Sequence, residues 1–375
     1  MTAHSARRLL GIDIGGANIK YAFLQCNEVQ QPDRSQVNTR VEARSTFFPM
    51  WKEYDKLADQ LVRDLQDGSW LELTACGITM TGELADCFFD RVSGVKHIVN
   101  QVSQAFERLA LDSPLFYAVD GGFLTEEASR GAEPLLAASN WHALGSFVAR
   151  TQTKDCYLID IGSTTADLIP IAGGTVATSA TTDFERLAEG SLVYVGGERT
   201  SVAMLVDTLT YRGQVTPVMR EHFATMADVR LLLGKLPESD TSGDTADGSP
   251  FNVRNSTNRL ARLIGLSEQE VNETDAVHLA EQIHQTAKAK IQEGLQKLND
   301  RYGSRQHFII SGHADDLISL PAASTHTRLS DLFGHNGSRN APAVATARLL
   351  GEQLFVALRQ DANPIVKSHH GESET

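Results

Sequence analysis

The sequence has few cysteines and few positive charges, and these shortages exclude several classes of protein. Its four cysteines stand far apart with no CxxC pair among them, which argues against a zinc site or a disulfide framework. Lysine and arginine total 34 against 47 aspartates and glutamates, so the net charge is −13. Because nucleic acids and anionic membranes select clustered positive charge, we expect neither as a partner.

Long hydrophobic runs are also missing. No window approaches the roughly 18 to 20 apolar residues that span a bilayer. The charged first eight residues lead into a strand-like run that contains Asp13, which is not the pattern of a signal peptide. We therefore expect a cytoplasmic protein with reduced cysteines. Its 41% hydrophobic and 22% charged residues are ordinary for a globular chain, and 375 residues suffice for two or three domains.

Short apolar segments alternate with stretches of helical periodicity, which predicts an α/β protein. The predicted strands are 9–14, 19–25, 75–80, 115–119, 156–161, 167–171 and 308–310, and the predicted helices are 54–65, 94–109, 140–150, 279–302 and 343–358. Residues 237–250 are rich in Ser, Thr, Asp and Gly, so we expect an exposed flexible loop there. The polar tail, 361–375, is expected to be disordered.

Two segments of the chain nearly repeat one another. Residues 11–20 read GIDIGGANIK and residues 158–167 read LIDIGSTTAD, so each places an aspartate, a glycine and small polar residues at the tip of a hairpin. Glycine lets a backbone approach phosphate and turn its N–H groups inward, and a carboxylate there can hold a hydrated Mg²⁺. With a third strand that ends in Ser-Gly-His at 311–313, the pattern predicts two similar halves with a phosphate cleft between two domains.

The candidate site residues follow from these loops. Asp13 and Asp160 are predicted to hold Mg²⁺ through water, and Arg199 with Thr200, after two glycines, could grip a carboxylate or phosphate. Predicted phosphate contacts are Gly15, Gly16, Asn18, Lys20, Gly162, Ser163, Thr164, Thr165 and Gly312; Asp167, Arg199 and Ser311 complete the cleft. For Lys20 a solvated, outward side chain stays an alternative. His97 and His313 are expected to be hydrogen-bonded structural residues and not metal ligands.

The three loops resemble those of the actin, sugar-kinase and Hsp70-like superfamily, which has a ribonuclease H-like fold. Segment 11–20 looks like its first phosphate motif, 158–171 like its second, and 308–317 like the third loop, which in relatives faces the nucleoside. The third match is looser, because kinases usually show a second glycine there. The resemblance implies two α/β domains, 1–150 and 151–360, with phosphate hairpins in an interdomain cleft and the last helix returning to the first domain.

Within that superfamily the chain resembles hydantoinase A/oxoprolinase-type proteins, and more closely a branch tied to one-carbon metabolism on tetrahydromethanopterin and methanofuran. The matching segments are 11–20, 78–88, 94–98, 117–123, 137–141, 160–171, 192–200 and 258–265. The resemblance implies a methanofuran-biosynthesis transferase that condenses an aminomethylfuran diphosphate with γ-glutamyltyramine, or a related phenol, and releases pyrophosphate. Mg²⁺ is the implied cofactor, ATP is an alternative occupant that this activity does not require, and a homodimer is compatible with the sequence.

A phenol is a weak nucleophile near neutral pH, so a positioned base would help the implied reaction. Asp120 is the first candidate, and Glu83 and Asp86 come next; for each, the alternative is a carboxylate that caps a turn or helix. Asp13 is also predicted to be catalytic, because its metal would stabilise charge on the leaving diphosphate. The alternative functions are an ATP-dependent hydrolase of hydantoin or oxoproline type, a small-molecule kinase, and a nucleotide-gated binding module.

Overall fold

A computed structural model describes residues 7–30, 35–66, 73–152, 154–239 and 245–361. They form two compact units. Unit 1 contains the described residues up to 143 and from 342 onward, and unit 2 contains those from 144 to 341. The boundary at residue 143 falls inside a helix, Asn140–Thr151.

The strands include every strand that the sequence predicts. They are β1 (Arg7–Ile14), β2 (Asn18–Gln30), β3 (Ser35–Phe47), β4 (Ala75–Met80), β5 (Leu115–Tyr117), β6 (Phe123–Leu124), β7 (Cys156–Ile161), β8 (Ala166–Ala172), β9 (Thr175–Val176), β10 (Leu192–Val193), β11 (Thr208–Tyr211), β12 (Gln214–Pro217), β13 (His307–Gly312) and β14 (Thr325–Arg328). The strand predicted for 115–119 ends earlier, at Tyr117, because the chain then turns through two glycines.

The predicted helices are also present, with shifted ends. They are α1 (Met50–Glu53), α2 (Leu57–Leu65), α3 (Arg91–Arg108), α4 (Glu126–Ser129), α5 (Glu133–Leu136), α6 (Asn140–Thr151), α7 (Asp183–Glu189), α8 (Val202–Leu205), α9 (Met226–Leu232), α10 (Val253–Arg262), α11 (Glu273–Tyr302), α12 (Leu329–Arg339) and α13 (Ala341–Asp361), with 3₁₀ turns at Tyr54–Lys56 and Asp315–Leu317. Helix α3 begins three residues before the predicted position because Asp90 and Ser93 form a capping box.

Two predictions fall partly outside the described residues. Asp361, which was assigned to a disordered tail, is the last residue of α13, and the rest of that tail is not described. Of the predicted loop 237–250, the structure describes 237–239 and 245–250, and Ser239 there forms a β-bridge with Phe251. Within the described ranges, no helix combines the length and apolar character needed to cross a membrane.

The sheet of unit 1 has the strand order β3-β2-β1-β4-β5-β6. Strands β1 and β2 form the predicted antiparallel hairpin, and β1 pairs in parallel with β4. The last six residues of β1 are all buried, as expected of a central strand that is covered on both faces. Helix α2 buries Leu57, Leu61 and Leu65 at helical spacing in the core of this unit.

The main sheet of unit 2 repeats this arrangement in the order β10-β8-β7-β13-β14. Strand β7 pairs with β8 as an antiparallel hairpin and with β13 in parallel, as β1 does with β2 and β4. Helix α11, 30 residues long, buries Leu279, Ile283, Ala287, Ile291 and Leu295 in the core of unit 2. The predicted near-repeat therefore corresponds to two sheets with the same local topology.

Within unit 1, the last helix packs directly on the central strand. A Cβ placed on Gly11 of β1 would collide with the carbonyl oxygen of Ala343 in α13 and lie 2.9 Å from the Ala347 nitrogen. Only glycine leaves room for this contact between two backbones. Alanines 343, 345 and 347 of α13 are fully buried, so small side chains on the helix complete the close approach.

We expect Gly11→Ala to destabilise the protein by about 1–3 kcal/mol, because the added methyl overpacks the contact between β1 and α13. Gly16→Ala is the matched control, since a Cβ at Gly16 meets nothing within 4 Å. Urea unfolding followed by circular dichroism measures both variants. Equal unfolding midpoints for Gly11→Ala and the unsubstituted protein would contradict the expectation.

Candidate functional site

The first predicted phosphate loop is a tight turn at the end of β1. The Gly15 N–H donates to the Asn18 carbonyl at 3.0 Å and closes the hairpin. Two neighbouring segments support the loop: the Met50 N–H donates to the Gly16 carbonyl at 3.0 Å, and the Gly82 N–H donates to the Ile14 carbonyl at 3.0 Å. The loop is therefore fixed from both sides, while the space above Gly16 stays open.

Three polar side chains stand side by side on the strands that carry this loop. Asp13 pairs in register with Lys20 on β2 and with Thr79 on β4, and we call these three residues the unit 1 row. The Lys20 ammonium lies 3.3 Å from the Asp13 carboxylate, and the Thr79 hydroxyl donates to it at 3.4 Å. Asp13 is 1% exposed and Lys20 26%. Lys20 thus points to the same face as Asp13 and compensates its charge.

The candidate bases in unit 1 have structural hydrogen bonds. Glu83 is buried, and its Oε1 accepts a hydrogen bond from the Ala138 N–H at 2.9 Å. This bond anchors Ala138, which has a φ of +48° and lies just before α6. Asp120 is exposed and accepts from the Gly122 N–H at 2.9 Å, as in an Asx turn. Asp86 is also exposed. These bonds favour the capping alternative for Glu83 and Asp120, and a catalytic role for any of the three stays a prediction.

The second predicted loop closes in the same way as the first. The Gly162 N–H donates to the Thr165 carbonyl at 2.9 Å. The row of three is repeated as well: Asp160 pairs in register with Asp167 on β8 and with Ser311 on β13, and we call these three the unit 2 row. Asp167 lies 2.7 Å from the buried Arg186, so this carboxylate is neutralised. The Ser311 hydroxyl is buried and has no hydrogen-bond partner among the residues that the structure describes.

A glycine-rich segment lies directly on this second loop. The Gly197 N–H donates to the Gly162 carbonyl at 2.9 Å, and the Glu198 and Arg199 N–H groups donate to the Ser163 carbonyl at 3.0 and 2.8 Å. A Cβ on Gly196 would lie 2.5 Å from the Thr164 nitrogen, so the approach requires glycine. Arg199 is exposed beside the loop, as its predicted role in binding an anion requires.

The third predicted loop also contacts the second through backbone. Gly312 has a φ of +87°, and a Cβ there would collide with the Ile161 carbonyl oxygen. The His313 N–H donates to that same oxygen at 3.1 Å. The loops at 162–165, 196–199 and 311–314 therefore form one backbone assembly within unit 2.

A buried arginine, which sequence analysis did not single out, joins two of these loops. Arg230 is 3% exposed, and its guanidinium donates to the Gly197 carbonyl at 3.2 Å and to the His313 carbonyl at 3.0 Å. It also donates to Asp316 at 2.8 Å, and His284 Nε2 lies 2.9 Å from the same carboxylate. Burial raises the pKa of Asp316, but the His284 and Arg230 contacts outweigh it and lower that pKa to about 2.

A second ion pair in unit 2 also escaped the sequence analysis. Glu198 Oε1 lies 3.0 Å from His313 Nε2 and 3.2 Å from the Arg339 guanidinium. Burial raises the pKa of Glu198, but the His313 ring and neighbouring arginines outweigh it and lower that pKa to about 2. Burial lowers the pKa of His313, and the charges of Arg339 and Arg230 lower it further. Glu198 raises that pKa, but the lowering effects are larger.

Among the residues that the structure describes, neither unit holds a ready-made metal cage. Within the described ranges, no group of three or more His, Cys, Asp or Glu side chains is placed to bind a metal. Mg²⁺, however, is commonly bound through one or two carboxylates, water and substrate phosphates. The Ser311 hydroxyl lies beside Asp160 and makes no hydrogen bond among the described residues, and Asp13 lies near the end of β1. Both positions suit the binding of Mg²⁺ through water and substrate phosphates. These residues therefore fit a Mg²⁺ ion that arrives with a phosphorylated ligand.

Comparison with solved structures identifies the class of fold. The chain is similar to the nucleotide-free structure of acetone carboxylase, a protein of ATP-dependent acetone carboxylation, with a TM-score of 0.51 and 10% identity over 92% of this chain and 70% of that one. At this identity the likeness concerns the fold alone. Together with the repeated hairpins and sheets, it confirms the predicted actin, sugar-kinase and Hsp70-like α/β fold.

Sequence comparison identifies the family. A family model described as hydantoinase/oxoprolinase matches residues 75–353, so the chain belongs to the hydantoinase/oxoprolinase family. A curated relative from Methanocaldococcus jannaschii is 32% identical over 349 residues, which cover 92% of this chain and 98% of that one. It is named (4-{4-[2-(gamma-L-glutamylamino)ethyl]phenoxymethyl}furan-2-yl)methanamine synthase. A relative from Methanococcus vannielii with the same name is 30% identical over 222 residues, or 57% of this chain and 99% of that one. The predicted family resemblance is confirmed, and these relatives are enzymes.

We expect Asp316→Ala to destabilise the protein by about 3–5 kcal/mol, because it leaves the Arg230 charge buried without its carboxylate. Asp207→Ala is the control: Asp207 pairs with Arg220, but its side chain is 89% exposed, so its loss should cost less than about 1 kcal/mol. Guanidinium unfolding of the two variants measures the difference. Similar losses from both substitutions would show that the buried network does not stabilise unit 2.

Glu198 should also contribute to acid stability. Its pKa falls from 4.5 to about 2 on folding, so its contribution, at most about 3 kcal/mol, is complete above pH 4.5 and is lost as the pH falls toward 2. Glu198→Gln should therefore flatten the dependence of unfolding free energy on pH in that window. Glu293→Gln, at an exposed side chain, is the control. An unchanged acid profile in Glu198→Gln would refute the assignment.

Proposed function

We propose that the protein is a transferase of methanofuran biosynthesis, which joins an aminomethylfuran diphosphate to γ-glutamyltyramine or a related phenol. The observation that carries the proposal is the 32% identity to the Methanocaldococcus jannaschii synthase over nearly the whole of both chains. The name of that relative describes a compound in which a phenol oxygen is joined to the methylene of a furan. Formation of such an ether is the chemistry that we assign to this chain.

The reaction requires a leaving group on the furan methylene. The carbon–oxygen bond to diphosphate breaks and its electron pair stays with diphosphate, while the phenol oxygen forms the new bond to carbon and gives up its proton to a base, for which Asp120, Glu83 and Asp86 are the candidates. Negative charge therefore develops on the diphosphate oxygens, and fixed N–H dipoles stabilise such charge well. The support for this chemistry is a pair of turns that are each closed by a backbone hydrogen bond, from the Gly15 N–H and from the Gly162 N–H.

Within each unit, the geometry of the loop suggests which of its residues would contact a phosphate. The N–H groups of Gly15 and Gly162 close their own turns, so we assign the phosphate contacts to the turn residues beyond them, at 16–17 and 163–164. The other predicted contacts, Asn18, Lys20, Thr165 and Gly312, stay proposals at the margins of these turns. Lys20 would bring a positive charge to the ligand while it keeps Asp13 neutralised.

Magnesium is the proposed cofactor, because the reaction releases an anion that Mg²⁺ chelates. When bound, it would neutralise charge on the leaving diphosphate. Each carboxylate is assigned within its own unit: Asp13 in unit 1 and Asp160 in unit 2 would hold Mg²⁺ through water, and the Ser311 hydroxyl would orient such a water next to Asp160. ATP is not required by this activity. The proposed setting is the reducing cytoplasm, where the free cysteines at 26, 76, 87 and 156 would persist.

Asp13→Asn should lower turnover at least 10²-fold, because it removes the carboxylate that we assign to the metal while it keeps the side-chain shape. The assay mixes enzyme, Mg²⁺, aminomethylfuran diphosphate and γ-glutamyltyramine, and it follows the ether by mass spectrometry and pyrophosphate by a coupled reaction. Asp112→Asn, at an exposed loop position of the same unit, should retain full activity. Near-normal turnover in Asp13→Asn would refute the role of Asp13.

Calorimetric titration separates this function from ATP-dependent alternatives. The proposal predicts that Mg²⁺–pyrophosphate binds more tightly than Mg²⁺–ATP and that no ADP forms. Hydrolysis of ATP without ether formation would overturn the proposal in favour of a hydrolase or kinase.

A further inference from the structure

An exposed phenylalanine stands directly beside the first phosphate loop. Phe47 is the last residue of β3, and its side chain is 55% exposed. It pairs in register with Asn18, the first residue of β2, and the next N–H along the chain, that of Phe48, donates to the Ala17 carbonyl at 2.9 Å. Phe47 is therefore held against the loop by backbone bonds on both sides.

The ring also lies on the side of the sheet that carries the unit 1 row. Paired residues in an antiparallel ladder share a face, with Cβ atoms about 4.5–5.5 Å apart, and residues two apart on a strand share it too. Phe47 pairs with Asn18, Asn18 is two residues from Lys20, and Lys20 pairs with Asp13. The aromatic ring, the lysine and the aspartate thus project from one face at the end of the sheet.

Packing does not account for the position of this ring. The neighbouring Phe48, which follows β3, is 1% exposed and packs in the core of unit 1, whereas Phe47 leaves more than half of its surface in water. Burial of a phenylalanine is normally favourable, so an exposed ring beside a loop of glycines and polar residues is available to a ligand.

We propose that Phe47 is a specificity residue that contacts the furan ring of the diphosphate substrate. This inference rests on the proposed function and adds which residue contacts the furan ring of the substrate. In the substrate a single methylene separates the ring from the first phosphate oxygen. A diphosphate on loop 16–17 therefore places the furan beside that loop, where Phe47 offers an aromatic face and Lys20 and Asp13 offer charge.

The chain offers a matched control on another exposed ring. Phe89 is 98% exposed in the same unit, but it precedes the N-cap of α3 and has no register contact with the loop. Loss of exposed aromatic surface is therefore common to Phe47→Ala and Phe89→Ala, while the position beside the phosphate loop is specific to Phe47. Phe47→Tyr preserves the aromatic face and tests rescue.

The experiment measures calorimetric Kd values for Mg²⁺–pyrophosphate and for aminomethylfuran diphosphate, and the KM for the latter. Phe47→Ala should weaken binding of the furan ester and raise its KM by about 3- to 10-fold, as expected for loss of one aromatic contact. Its Kd for pyrophosphate should stay within about twofold of the unsubstituted value. Phe89→Ala should behave like the unsubstituted protein in both measurements, and Phe47→Tyr, which keeps the aromatic face, should recover most of the affinity for the furan ester that Phe47→Ala loses.

Other outcomes separate this proposal from the proposed function. If Phe47→Ala weakens pyrophosphate and the furan ester equally, or weakens neither, the ring contact is refuted and the transferase activity stands. If the unsubstituted protein binds pyrophosphate no better than ATP and does not bind the furan ester, both proposals fail together. An equal effect from Phe89→Ala would show that Phe47 acts only through general exposed aromatic surface, which also refutes the contact.

Discussion

Direct contact between backbones is the constraint on which the candidate site depends. In unit 2 the segments at 162–165, 196–199 and 311–314 touch through main-chain atoms, and this is sterically allowed only because Gly196 and Gly312 have no Cβ. In these contacts, the carbonyls of Ile161, Gly162 and Ser163 accept hydrogen bonds from backbone N–H groups of the other two segments. Those carbonyls are thereby turned into the protein, which leaves the N–H side of the turn for an anion.

The same sheet positions carry different chemistry in the two units. The unit 1 row pairs a carboxylate with a lysine and a threonine, whereas the unit 2 row has two carboxylates and a serine. Arg186 neutralises Asp167 from outside the row, and Lys20 neutralises Asp13 from within it. The same position in the local topology therefore holds a positive side chain in unit 1 and an acidic side chain in unit 2. The two loops thus differ in the charge that lies beside them.

The sequence predicts those features of the fold that depend on residues close together in the chain. Hairpins, buried strands and loop glycines follow from a few adjacent residues, and the repeat of Asp-Ile-Gly at 13–15 and 160–162 made both loops visible. Strand β3 was not predicted, because its sequence is largely polar and its partner β2 supplies the register. The network of Arg230, His284 and Asp316 was also missed, because Arg230 and Asp316 lie 86 positions apart and only the folded chain shows that Arg230 is buried against the Asp316 carboxylate.

The contact of Gly11 with α13 has a consequence for synthesis on the ribosome. Strand β1 leaves the exit tunnel before unit 2, yet the helix that covers it at Gly11 comes after all of unit 2 has been made. Unit 1 is thus discontinuous in sequence. Its apolar central strand stays incompletely covered while unit 2 is synthesised and folds. Nascent chains of this protein therefore expose a surface that chaperones can bind until α13 has been made.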